Sequence, residues 1–143
     1  ISQNAHRLFT MILPCALHKL TTFRDEIVAL AFVESGNQMP FVPQREFHLF
    51  DLRTGVARGG HAHKKCHEFL IAMSGTFRVT TDDGTIRTEW TLVSPNQGLH
   101  IPPGYWIELV PQNDSAVLSV LASHPYDETD YIRERSEFIK TKE

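Results

Sequence analysis

With 143 residues, 41% of them hydrophobic and 22% charged, the chain has the length of one domain and enough apolar residues to bury a core, which excludes a disordered protein. Fourteen Lys and Arg against 17 Asp and Glu leave a formal net charge of −3, which argues against broad nucleic-acid or anionic-membrane binding but permits a local anion pocket. No apolar run reaches the roughly 18 residues of a membrane-spanning helix. The two cysteines, Cys15 and Cys66, lack CxxC spacing and read as reduced thiols of a cytoplasmic protein.

Residues 1–20 show no clear period and read as an N-terminal arm or an edge strand. Pro14 interrupts the apolar stretch 8–17, and only Arg7 stands before it as a basic flank, so no signal peptide is expected. A short strand is predicted at 27–33, then a turn at Ser35-Gly36-Asn37, then extended chain held by Pro40 and Pro43. The stretch 47–52 reads as a strand closed by the turn Arg53-Thr54-Gly55. Further short strands are predicted at 61–64, 68–73, 76–81, 86–92, 99–101, 106–110 and 116–122. Asp82-Asp83-Gly84 is a hairpin turn, where glycine supplies the positive φ. Only the end reads as helical: from Asp130 on, Tyr131, Ile132, Arg135 and Phe138 recur at helical spacing behind acidic residues. About eight short strands and one helix predict a single all-β domain over 1–143, a small sandwich or barrel with a helical tail at 124–140.

Eight histidines stand out, above all His61-Ala62-His63. On a strand, residues two apart share a face, so both imidazoles enter the same space. Glu68 and Gly75 follow in the pattern H-x-H-x4-E-x6-G, behind Gly59-Gly60. This resembles the first motif of the cupin superfamily, in which histidines and a carboxylate from adjacent strands converge inside a barrel. His61, His63 and Glu68 could therefore ligate a divalent metal; alternatively Glu68 is a carboxylate that orients a histidine. Gly98, Pro102 and Gly104 approximate the second cupin motif, but Ile107 fills its histidine slot and cannot coordinate anything.

Longer stretches resemble a narrower family, the dTDP-sugar 3,4-ketoisomerases or WxcM-like sugar-isomerase cupins. They are Arg58-Gly59-Gly60-His61-Ala62-His63-Lys64-Lys65, Thr81-Asp82-Asp83-Gly84, Pro102-Pro103-Gly104-Tyr105-Trp106, and the tail from Val120 to Arg133 containing Tyr126-Asp127-Glu128-Thr129-Asp130-Tyr131. The resemblance covers about residues 22–140. It implies a jelly-roll cupin barrel that works without a metal or other cofactor, as a homodimer with exchanged N-terminal strands. It implies movement of a ketone between C4 and C3 of a dTDP-linked 4-keto-6-deoxy sugar, on the way to amino sugars of bacterial surface glycans such as the O-antigen of lipopolysaccharide.

The residues suit such chemistry. A C–H beside a ketone can be removed by a positioned base that titrates near neutral pH, which favours histidine. His63 is expected to be the main base and His61 its partner. Arg45, Arg53, Arg58 and Lys65 are candidates for the diphosphate, Tyr105 and Trp106 for the wall against the base, and Glu68 and His48 for contacts within the sugar site. Phe9, Phe23, Phe32, Phe41 and Phe77 read as core or interface, and Tyr126 and Asp127 as docking the terminal helix. The chain departs from the family at Phe47, where relatives often carry Tyr, at Ile107, where they often carry His, and at Glu68, where some carry Gln. Neighbouring His48 is expected to take over a proton-transfer role that Phe47 cannot fill. Two other functions fit the residues: a metal-dependent cupin enzyme, and a non-catalytic nucleotide-sugar-binding module.

Overall fold

The computed structural model describes residues 12–143. Alternating apolar residues build two antiparallel five-stranded sheets that face each other, because each strand must bury one face. The first sheet has the order β1 (Ala16–Lys19), β9 (Gln97–Ile101), β6 (Glu68–Ser74), β11 (Val117–Ala122), β4 (Arg45–Leu49). The second has the order β12 (Tyr131–Ile132), β5 (Arg58–His63), β10 (Trp106–Pro111), β7 (Phe77–Asp82), β8 (Arg87–Leu92). From β4 to β7 and again from β9 to β11, successive strands alternate between the sheets, as in the expected jelly-roll barrel. Leu70, Ala72, Phe77, Val79, Leu99, Ile107, Leu109, Leu118 and Val120 fill the space between the sheets.

The strand assignments at 47–52 through 116–122 hold, with ends moved by a few residues. Residues 16–19 form the edge strand β1, whereas Phe9 and the first part of the expected arm lie outside the described residues. The strand expected at 27–33 is half of a hairpin, β2 (Thr21–Arg24) with β3 (Ala29–Phe32). Asp25 closes its turn by accepting from the N–H groups of Ile27 and Val28. The hairpin joins neither large sheet. Beside it, Leu20, Met39, Phe69 and Ile71 form a second core on the outer face of the first sheet. Phe69 lies so close over Gly98 that a Cβ there would run into its ring, so only glycine fits. Phe77 is fully buried as expected, while Phe23 is 64% exposed.

The C-terminal tail differs from the expected helix. Glu128–Asp130 makes one 3-10 turn, Tyr131 and Ile132 extend to pair with His63 and Ala62, and only Arg135–Lys140 is helical (α1). The edge of β5 offers unpaired backbone groups, and an aromatic followed by a β-branched residue fits a strand better than a helix. Tyr126 is exposed and Asp127 caps the 3-10 turn, so neither docks the helix; Phe138 does, packing against Ala62, Trp106 and Ile132. Among the described residues, no helix is long and apolar enough to cross a membrane.

Candidate active site

Strand alternation decides what enters the barrel. On β5, Ala62 faces outward under α1, so His61 and His63 point inward with ring centroids 5.1 Å apart and nearly perpendicular planes. On β6, Glu68 precedes inward-facing Leu70 and Ala72 and shares their face. Gly59, at φ +90°, passes so close to β10 that a Cβ would approach the Ile107 carbonyl oxygen to 2.8 Å. That tight passage sits at an irregularity in the β5–β10 ladder, directly before the histidines. A cavity of about 360 Å³ opens here, lined by His61, Glu68, Arg58 and the apolar side chains of Phe47, Leu49, Leu70, Ile107, Leu109 and Val120. This volume lies at the lower end for small-molecule sites.

His63 is held between two carboxylates. Its Nδ1 lies 3.0 Å from Asp130 Oδ2, and its Nε2 3.6 Å from Glu68 Oε1. Asp130 is itself anchored, accepting from the backbone N–H groups of Lys65 at 2.7 Å and Cys66 at 3.2 Å. An ionised carboxylate only accepts, so Nδ1 must donate and Nε2 is left as the reactive nitrogen. Burial alone would push His63 down, but the adjacent Glu68 and the hydrogen-bonded Asp130 outweigh it and hold the imidazole above its ordinary pKa. Burial would likewise raise Glu68, but the nearby His63, aided by the charges of His61 and Arg45, keeps it below the usual carboxylate range. His61 goes the other way: burial dominates and favours the neutral ring. The Nε2 atoms of both histidines are buried with no protein hydrogen-bond partner. Tyr131 packs on both rings, 5.2 Å from His61 and 4.4 Å from His63 between centroids.

The donor atoms of His61, His63 and Glu68 lie within 4.8 Å of one another, as do those of His63, Cys66 and Asp130. Either group is close enough to converge on one divalent ion.

The structure therefore brings together His61, His63 and Glu68; His61, Glu68 and Arg58 line the cavity, while His63, 2% exposed, abuts His61 and Glu68 without lining it itself. Arg45 stands beside the cavity: its Nη1 reaches the Tyr131 hydroxyl at 3.4 Å and its guanidinium lies 5.2 Å from the Phe47 ring centre. The other expected residues are placed elsewhere. His48 contributes to the cavity rim, but strand alternation turns its ring outward from Phe47, to Glu46 at 3.4 Å, so it is not aimed at a sugar beside His63. Arg53 is exposed in the turn beyond β4, and the Lys65 side chain is exposed while its backbone serves Asp130. Tyr105 donates to the Leu13 carbonyl at 2.7 Å in the core, where burial raises its pKa to about 12. Trp106 lies under α1, its Nε1 donating to Glu108 at 3.2 Å. None of these four lines the cavity. Asp130 and Tyr131 are the site residues that the sequence reading assigned to a helix. The signal was the extended pair Tyr131-Ile132, whose pairing with β5 carries Asp130 to His63.

The model of the FdtA family, described as WxcM-like, C-terminal, matches residues 14–143. The chain belongs to this WxcM-like family. A relative from Aneurinibacillus thermoaerophilus, TDP-4-oxo-6-deoxy-alpha-D-glucose-3,4-oxoisomerase, is 41% identical over 122 residues, covering 85% of this chain and 86% of its own. The fold is similar to that of QdtA, a sugar 3,4-ketoisomerase from Thermoanaerobacterium thermosaccharolyticum solved in complex with TDP, at 33% identity and a TM-score of 0.86 over 92% of this chain and 96% of that one. It is similar also to WlaRB, a TDP-quinovose 3,4-ketoisomerase from Campylobacter jejuni, at 35% identity and a TM-score of 0.83, covering 88% and 97%. The cavity with its histidines thus sits in a WxcM-like jelly roll whose relatives carry sugar-isomerase names.

Proposed function

We infer that this protein is a dTDP-sugar 3,4-ketoisomerase, moving a keto group between C4 and C3 of a 4-keto-6-deoxyhexose. The family relationship supports the reaction, and the observation that carries the assignment to the cavity is the inward pair His61–His63, with His63 oriented by Asp130. The ketone makes the neighbouring C–H acidic, and a fixed imidazole Nε2 can remove and return the proton. His63 is the base, and His61 is the neighbour that meets the developing enediolate oxygen. The apolar wall of Phe47, Leu70, Ile107 and Val120 suits the methyl group of a 6-deoxy sugar. The diphosphate extends past Arg58, and Arg45 reinforces the positive side.

We place the enzyme in the cytoplasm of a bacterium, supplying 3-keto sugars for amination in surface-glycan synthesis. We further propose a homodimer. The β2–β3 hairpin belongs to neither large sheet, and Phe23, Val28 and Leu30 on it are 64%, 58% and 55% exposed. Exchange of N-terminal strands between subunits is part of the same proposal. Light scattering checks it: a dimer is expected, with Leu30→Glu shifting it toward monomer.

Incubation with dTDP-4-keto-6-deoxyglucose in D₂O tests the activity. Deuterium entering the sugar at C3 or C4, with a 3-keto product, is the expected result. A folded protein that binds the nucleotide and exchanges nothing would be the non-catalytic module instead. A second reading rests on the convergence of His61, His63 and Glu68 donors: a metal-dependent enzyme. Stoichiometric Fe, Mn, Ni or Zn in purified protein, with activity lost on chelation, would favour it.

A further inference from the structure

A 3,4-ketoisomerisation moves two hydrogens. One leaves C3 and one arrives at C4, and separately the C3 hydroxyl loses a proton while the C4 oxygen gains one. A single imidazole accounts for the carbon-bound hydrogen only. His61, the second imidazole of the cavity, is assigned to the enediolate oxygen; beyond it the wall is largely apolar, and Phe47 and Ile107 in it have no proton to give. The cavity-lining carboxylate is Glu68, 4% exposed, with Oε1 3.6 Å from His63 Nε2.

Building on the ketoisomerase reading, we propose that Glu68 is a further catalytic residue, the carrier of the hydroxyl proton between the oxygens on C3 and C4, working alongside His63. The two groups share one proton. At rest that proton belongs to His63; once it has passed to Glu68, His63 Nε2 takes the hydrogen from C3, giving an enediolate whose C4 oxygen faces His61, and Glu68 then protonates that oxygen. The C3–C4 bond becomes double, and an enediol is left between an imidazolium and a carboxylate. In the second half the imidazolium protonates C4 and the Glu68 carboxylate removes the C3 hydroxyl proton. C3 becomes the ketone, C4 the alcohol, and the C3–C4 bond is single again. C3 has been oxidised and C4 reduced by the same electron pair, so no external oxidant or reductant enters. His63 and Glu68 finish in their starting states. A glutamine at this position could hold an oxygen but could not carry its proton, so the role is particular to chains with the carboxylate. His48, turned to the outside of β4, is not placed for it.

The test follows Glu68→Gln in the full-length protein with dTDP-4-keto-6-deoxyglucose in D₂O. The variant should bind TDP normally and keep exchanging the C3 hydrogen, yet form product on the order of 10²-fold more slowly. The ratio of exchange to product should therefore rise, and Glu68→Asp should recover part of the loss. Three results would overturn the proposal: product formation within about threefold of the parent, equal loss of exchange and product, or recovery of Glu68→Gln at about pH 6, where a role confined to setting the charge of His63 would be bypassed. Should Glu68→Gln fail to fold, Glu68→Asp carries the test alone: exchange outrunning product supports the role, and parallel loss overturns it. A parent protein that neither exchanges nor isomerises would sink the ketoisomerase reading itself.

Discussion

The arrangement around His63 makes Asp130 the most informative single position. Its carboxylate fixes Nδ1 as a donor and is pinned by two backbone N–H groups from the β5–β6 connection. Asp130→Asn can preserve one anchor but presents the wrong charge to the imidazole. The expected result is a kcat lower by roughly 10²–10⁴-fold with KM and TDP affinity little changed, because Asp130 acts through His63. The pH–rate profile should also move to lower pH as His63 loses a carboxylate that raises its pKa. An unchanged profile would mean Asp130 serves only the backbone turn. His63→Asn should abolish C3 exchange altogether, measured by NMR in D₂O, while TDP binding persists.

At the scale of elements, the geometry of the proposed site depends on a short tail. β12 has two residues, and its pairing with β5 is backed by α1, whose Phe138 is fully buried against Ala62, Trp106 and Ile132. Phe138→Ala removes the whole ring from that contact and is expected to cost about 3–5 kcal/mol, read as a fall in Tm. Because α1 supports the strand that follows Asp130, turnover should fall more than the remaining folded fraction accounts for. The helix predicted from Asp130 illustrates how local pattern misleads here. Its periodicity was real for Arg135 and Phe138, but the open edge of β5 captured Tyr131 and Ile132. Nothing local to those residues announces an edge contributed some seventy positions earlier.

For the whole molecule, the outer face of the first sheet creates an acid sensitivity. His67 Nδ1 and His100 Nε2 lie 2.9 Å apart with ring planes within 3°, so one N–H points at the other ring's lone pair. Phe41 covers both rings, and His18 lies near. Burial, then the charges of His67 and His18, push His100 down to about 4, and His67 shifts the same way. The folded state thus binds fewer protons than the unfolded chain once pH drops below about 6.5. Stability should decline from there and level off below about pH 4, the folded value for His100. His63, raised rather than lowered, works in the opposite sense, adding stability that is lost as pH rises through its folded pKa. Tm measured between neutral and acid pH checks this: His100→Phe should flatten the acid limb, and an equally steep limb in that variant would place the sensitivity elsewhere.

What the chain's linear order determined was the all-β class, the inward pairing of His61 and His63, and the convergence of Glu68 on them. All three follow from a two-residue period and from the spacing of one motif, which act within a strand or across neighbouring strands. Only the tertiary structure decided that Asp130 grips His63, that His48 faces outward, and that Tyr105 and Trp106 belong to packing. Those outcomes depend on which face of β4 meets the barrel and which distant segment reaches the edge of β5. Both are set by burying the chain as a whole, where the drive to cover apolar surface overrides local periodicity.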